Sequence, residues 1–144
     1  MIVIADTSGI IAASDRKAAE SADCQRVLRE AGTVVISPLV LAEVDHVAKV
    51  RFGSAARKEI IAFILSNARR LRFQVPEVST EVLETACAVR HRYASMDLDL
   101  ADAVNVVLAA EFRTDAVLTL DRRDFRALRP LTPHKTFRLL PDDM

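Results

Sequence analysis

Behind Met1 stand four apolar residues, Ile2-Val-Ile-Ala5, three of them β-branched, and the run stops on an acid, Asp6. No polar side chain interrupts it. A strand built from such a run is buried on both faces, the condition met inside a parallel sheet covered by helices. Further short runs of this kind occur at 33–36, 71–75, 116–120 and 137–140. Between them the apolar residues follow a helical period, as Leu39, Val40, Val44, Val47 and Ala48 do after the Ser37-Pro38 start signal. Helices are expected over 8–13, 16–31, from Ser37 onward, and over 55–68, 79–92 and 98–112, with Gly32 closing the second of them. Strands alternating with helices predict an α/β fold: a three-layer α/β/α sandwich with a mostly parallel central sheet and 137–140 at its edge. Nothing resembling a linker or repeat divides residues 1–144, so a single domain is expected.

Composition narrows the function classes. The formal net charge is zero, so no global field draws the chain to nucleic acid, although sixteen of its twenty basic residues are arginine. Cys24 and Cys87 are isolated, which argues against a zinc site or a disulfide framework. No apolar run approaches the roughly 20 residues of a membrane span, and no leader pattern opens the chain, which reads as cytoplasmic.

The chemistry lies in the acids. Ligands of open α/β sheets bind at the carboxyl ends of the strands, where Asp6 falls, although Asp6 could equally cap a helix starting at Ser8. Glu43 stands in the first two turns of the helix entered from strand 33–36, and therefore near the same sheet edge. Taken singly it would be an exposed surface acid, yet its neighbours Leu39, Val40, Leu41, Ala42 and Val44 leave it little solvated face. In Leu98–Ala110 the polar residues are Asp99, Asp102 and Asn105, spaced by three and so aligned as one stripe on an otherwise apolar helix. Asp97 and Asp99 are accounted for as first-turn or capping acids; Asp102 lies deeper and requires a partner, a metal or a cleft. Asp121 again follows an apolar strand, with Thr119 just inside it, whereas Asp124 reads as a cap before Phe125. Acids gathered at one edge raise each other's pKa unless a cation neutralises them. Oxygen donors without His or Cys favour Mg²⁺ or Mn²⁺, ions that also take phosphate oxygens, which points to phosphodiester hydrolysis.

The segments Ile4-Ala-Asp6-Thr-Ser8, Leu41-Ala-Glu43-Val44, Leu100-Ala-Asp102-Ala103 and Leu118-Thr-Leu-Asp121-Arg-Arg-Asp-Phe125 together resemble the PIN-domain ribonucleases. Chain length and the stretch 97–125 resemble the VapC toxins of type II toxin–antitoxin systems. The resemblance implies a Mg²⁺- or Mn²⁺-dependent endoribonuclease whose four acids are Asp6, Glu43, Asp102 and Asp121, with Asp6, Asp102 and Asp121 foremost as metal ligands. It places Thr119 and Thr7 or Ser8 as supporting residues, with Thr7 and Ser8 also capping the helix, and it leaves Asn105 and Asp99 beside the site. It also implies an RNA substrate, a homodimer and a cognate antitoxin protein that blocks the cleft. Arg51, Arg57, Lys58, Arg122, Arg123 and Arg126 are candidates for steering RNA, against a plain reading as solvated surface. Two other readings stay open: a phosphatase with Asp6 as nucleophile, and an inactive binding module of the same fold. The phosphatase reading is weakened by Ser8, which stands where haloacid-dehalogenase-like enzymes place a second acid.

Overall fold

The computed structural model describes all 144 residues. Its strands are β1 (Ile2–Ala5), β2 (Thr33–Val35), β3 (Phe73–Gln74), β4 (Ala116–Leu118) and β5 (Arg138–Leu140). They form one parallel sheet in the order β3-β2-β1-β4-β5, which puts β5 at the edge. Seven helices cover it: α1 (Thr7–Ser14), α2 (Ser21–Glu30), α3 (Pro38–Phe52), α4 (Ser54–Arg69), α5 (Thr80–Arg92), α6 (Leu100–Glu111) and α7 (Arg122–Ala127). Alternate strand residues serve opposite faces. Val3, Ala5, Val34, Ala116 and Leu118 pack with α1 to α4, while Ile4, Val35, Val117 and Leu139 pack with α5 to α7. The expected three-layer sandwich is the observed fold. No helix is long and apolar enough to cross a membrane.

Strand order positions the site. The chain builds outward from β1 through β2 to β3, then crosses to β4 on the other side of β1. The order therefore reverses between β1 and β4, and at such a switch point the diverging loops leave a crevice beyond the strand ends. There the backbone N–H of Asp6 donates to the Leu118 carbonyl at 2.9 Å, tying the two strand exits together. Gly9 lets α1 pass directly over that junction. A Cβ on Gly9 would stand 2.5 Å from Leu118 Cγ and 2.9 Å from its carbonyl oxygen. Gly9→Ala is accordingly expected to destabilise the chain by about 1–3 kcal/mol, the scale of core overpacking. Urea denaturation checks this, and an unchanged midpoint would refute the close approach.

Several boundaries differ from the sequence reading. The second helix starts at Ser21 rather than 16, because Asp15 accepts from the Lys17 N–H at 3.0 Å and closes a turn that separates α1 from α2. Gly32 does not cap it. The helix ends on Ala31 in an extended conformation, and the Gly32 N–H donates to the Met1 carbonyl at 2.9 Å as the chain enters the sheet. The strand expected over 71–75 is reduced to Phe73–Gln74, since Leu71 turns the chain at φ 62°. Gly53 ends α3 at φ 98°, a value glycine adopts freely, and turns the chain straight into α4.

Candidate metal centre

Asp6 ends β1 in an extended conformation, and its carbonyl accepts from Ile10 N–H at 3.2 Å as α1 begins. Its carboxylate makes no cap hydrogen bond, which leaves it to the crevice. Asp6 is only 5% exposed and is held from three sides. The Thr119 hydroxyl donates to Oδ2 at 2.8 Å, the Ser8 hydroxyl reaches the same oxygen at 3.5 Å, and Asn105 Nδ2 donates to Oδ1 at 3.4 Å. The supporting hydroxyls are themselves tied down. Thr119 Oγ1 accepts from the Asp121 N–H and Ser8 Oγ from the Leu120 N–H, each at 2.9 Å. The strand exits of β1 and β4 are thus stitched into one rigid floor.

This arrangement corrects the capping role expected of Thr7 and Ser8. Ser8 is engaged with the β4 exit, and Thr7 Oγ1 is buried without a protein partner. Nor does Ser8 act as an acid beside a nucleophile, and both Asp6 oxygens already accept hydrogen bonds. Nothing here favours the phosphatase reading.

The polar stripe of α6 descends from rim to floor. Asp99 is exposed at the N-cap position without a side-chain cap bond, Asp102 is half-buried in the first turn, and Asn105 is fully buried against Asp6. Asp121 is the N-cap of α7, accepting from the Asp124 N–H at 3.3 Å, so the cap expected at Asp124 belongs to Asp121. Asp124, in the first turn, instead brings its carboxylate up to those of Asp102 and Asp121. Asp102, Asp121 and Asp124 offer oxygens that all lie within 4.8 Å of one another. The signal for Asp124 was present as an (i, i+3) pair with Asp121, which places both on one side of a turn. Glu43 is exposed, as is Ala42, so its apolar neighbours did not deny it solvent. It lines the crevice from α3 together with the other acids.

The crevice has a volume of about 510 Å³ and is lined by seven carboxylates, Asp6, Asp15, Glu20, Glu43, Asp99, Asp102 and Asp121, and one cation, Arg51. A separate hollow of about 630 Å³ beside α2 and α4 is mainly apolar and brings in a single acid, Glu59. Burial raises the Asp6 pKa to about 6, against the Thr119 hydrogen bond, with repulsion from Glu43 and Asp121 adding to it. Burial and then the fields of Asp6, Asp121, Asp99 and Glu43 push Asp102 up to about 8. Burial also raises Asp121. Asp102 therefore retains its proton near neutrality, and Asp6 in mildly acidic solution, unless a cation takes its place.

The donor set fits a hard divalent ion. Mg²⁺–oxygen bonds of 2.0–2.1 Å put ligands of one ion within about 4.2 Å of each other, close to the spread of the three clustered carboxylates. Asn105 Oδ1 and Thr7 Oγ1, both buried and unpaired beside Asp6, add polar atoms suited to ordering water around such an ion.

The arginines divide sharply. Arg57 pairs with Asp45 at 3.4 Å; Arg122 pairs with Asp142, and Arg126 holds Asp143 through two bonds of 2.7 and 2.8 Å. Arg122 and Arg126 thus fasten the C-terminal residues to α7, while Arg51 lines the crevice.

A profile of the PIN domain matches residues 3–129. The chain is 33% identical over 130 residues to Ribonuclease VapC26 of Mycobacterium tuberculosis, covering 90% of this chain and 93% of that protein. Among solved structures, VapC20 of M. tuberculosis, described as a sarcin-ricin loop cleaving toxin, superimposes with a TM-score of 0.74 at 20% identity. That match covers 84% of this chain and 91% of VapC20. A chain of the VapBC2 structure from Rickettsia felis, bound to a promoter DNA fragment, gives a TM-score of 0.68 at 16% identity, covering 91% and 96% of the two chains. A toxin–antitoxin complex from Klebsiella pneumoniae gives 0.61 at 21% identity, covering 92% and 98%. At these identities the structural matches speak for the fold.

Proposed function

The chain belongs to the PIN-domain family, and from that premise we propose that it is a Mg²⁺- or Mn²⁺-dependent endoribonuclease acting as the toxin of a toxin–antitoxin pair. The observation that carries this reading is the arrival of Asp6, Glu43, Asp102 and Asp121 at one switch-point crevice from four separate elements, with Asp124 joining Asp102 and Asp121 from the first turn of α7. Asp102, Asp121 and Asp124 would hold the ion, with Asp6 behind them directly or through water. When bound, the ion supplies Lewis-acid polarisation of the phosphate and lowers the pKa of water. The chain's own residues do the rest. Thr119, Ser8 and Asn105 fix Asp6, and the Asp124 N–H fixes Asp121, so the ligands need not reorganise during reaction. Glu43, on the opposite and solvated wall, orients the attacking water and accepts its proton on the carboxylate.

The named relatives support the biological role. VapC26 is called a ribonuclease, and two structural neighbours come from toxin–antitoxin assemblies. By that likeness this chain acts in the cytoplasm on RNA and is held silent by a small antitoxin that places basic side chains over the acids. By the same likeness the chain forms a homodimer, for which the α3–α4 pair, with Val50, Phe63 and Leu65 exposed, is the candidate surface.

The test is cleavage of RNA by the purified chain. Cleavage should require Mg²⁺ or Mn²⁺, stop on chelation, and fall at least roughly a hundredfold in Asp6→Asn. Cleavage that persists in Asp6→Asn at the wild-type rate would overturn the assignment.

A further inference from the structure

An RNA strand entering this crevice meets seven carboxylates, and a divalent ion offsets only two charges. The crevice contains one other positive group, Arg51. It stands on α3 in line with Glu43 and Val47, each four residues apart, and all three line the crevice. At 1.5 Å rise per residue, Arg51 lies about 12 Å along the helix axis from Glu43. That separation of the two backbone positions suits a phosphate flanking the one being cleaved.

The guanidinium is held but not consumed. One of its nitrogens donates to Asp15 Oδ2 at 3.3 Å, while Asp15 Oδ1 is anchored on the Lys17 N–H at 3.0 Å. The guanidinium carbon also lies 5.4 Å from the Phe52 ring centroid. With one donor engaged of its five, and its side chain 53% exposed, Arg51 keeps a free edge for two parallel bonds to a phosphate. An exposed ion pair is weak, so a phosphate can share or displace Asp15 at little cost.

We propose that Arg51 binds a backbone phosphate flanking the cleavage site, with Asp15 holding the guanidinium ready at the crevice rim. This deepens the nuclease reading and rests on it for the identity of the strand, but binding can be measured apart from cleavage.

The experiment uses the full chain carrying Asp102→Asn, so that RNA is not cut, and follows a short fluorescein-labelled single-stranded RNA of mixed sequence by anisotropy. Adding Arg51→Ala should weaken binding roughly tenfold and flatten the plot of log affinity against log salt by about 0.7, the contribution of one phosphate contact on a single strand. Arg51→Lys should restore most of that slope, since it keeps the charge and loses only the paired geometry. In the cleaving chain Arg51→Ala should raise KM with kcat within about twofold, as expected for uniform binding. A salt slope and affinity unmoved by Arg51→Ala overturn the proposal, and so does a loss of thermal stability with binding unchanged, which would make the Arg51–Asp15 pair structural. RNA bound in an Arg51-dependent way by a chain that never cleaves would sustain Arg51 as the phosphate site while the nuclease reading falls.

Discussion

Asp102→Asn is expected to abolish RNA cleavage and, in the same molecule, to make the ion-free chain more stable above about pH 4. The two effects share one cause. Asp102 sits half-buried among other acids, and burial followed by repulsion from Asp6, Asp121, Asp99 and Glu43 raises its pKa from 3.8 to about 8. The unfolded chain therefore ionises at this position first. Between about pH 4 and pH 8 the folded state binds more protons than the unfolded state, so stability declines as pH rises through that window. The decline is at most about 1.4 kcal/mol per pH unit from one group. Asparagine has the shape of the protonated acid and does not titrate. The gap between variant and wild type should open above about pH 4 and be complete above about pH 8. Cleavage should fall by roughly three orders of magnitude, the scale on which losing one preorganised charge-stabilising group acts. Urea titrations of both chains at several pH values, in chelator, and RNA cleavage with Mn²⁺ measure the two halves. A variant less stable than wild type at about pH 8 would show that Asp102 is held by favourable contacts rather than imposed on the fold. Such a trade of stability for chemistry is what a functional site is expected to impose.

The fold was legible where one local rule decided it. The β-branched run at Ile2–Ile4 calls for burial on both faces, which a covered parallel sheet provides, and with helices alternating between such runs the three layers were legible from local pattern. Asp6 and Asp121 were legible for the same reason, being acids placed directly at the ends of such strands. The rest depended on distant partners. Ser8 reads as a helix cap in sequence, yet its hydroxyl engages Leu120 and Thr119, more than a hundred residues away. Asp124 reads as a cap because the backbone twist that makes Asp121 the cap cannot be seen from the string Asp-Arg-Arg-Asp. Glu43 reached the crevice although the argument from its apolar neighbours failed. α3 packs on one side through Val40, Val44 and Ala48, and that leaves Glu43, Val47 and Arg51 to face the opening. Gly32 reads as a cap because glycine after a helix usually closes it, whereas here it lies where the chain passes close to the Met1 backbone, with a would-be Cβ 3.2 Å from the Met1 nitrogen.

The second large effect is the cancellation of that pH dependence by the metal. Without an ion, the acids that burial has raised make the folded chain less stable as pH rises. With excess Mn²⁺ that decline should vanish above about pH 4, because the ion displaces the same protons and its own stabilisation grows with pH by the amount the ion-free chain loses. Asp102, near 8, gives up its proton first as the ion binds at neutral pH, and Asp6, near 6, adds a second at lower pH. One displaced proton makes the apparent affinity fall about tenfold for each pH unit lost between roughly 8 and 6, and two make it steeper. An ion that binds only the folded state stabilises by RT ln(1 + [L]/Kd), so a hundredfold weaker site loses about 2.7 kcal/mol of that stabilisation at excess ion. For a chain of this size that corresponds to roughly 5–10 °C in Tm. The rise in Tm on adding a fixed excess of Mn²⁺ is therefore expected to be larger by that amount at about pH 8 than at about pH 6, and Asp102→Asn should remove most of the difference. Equal shifts at the two pH values would mean that the ion binds carboxylates already free of protons. The crevice acids would then be ordinary surface charges, and the proton-loaded site described for Asp6 and Asp102 would be wrong.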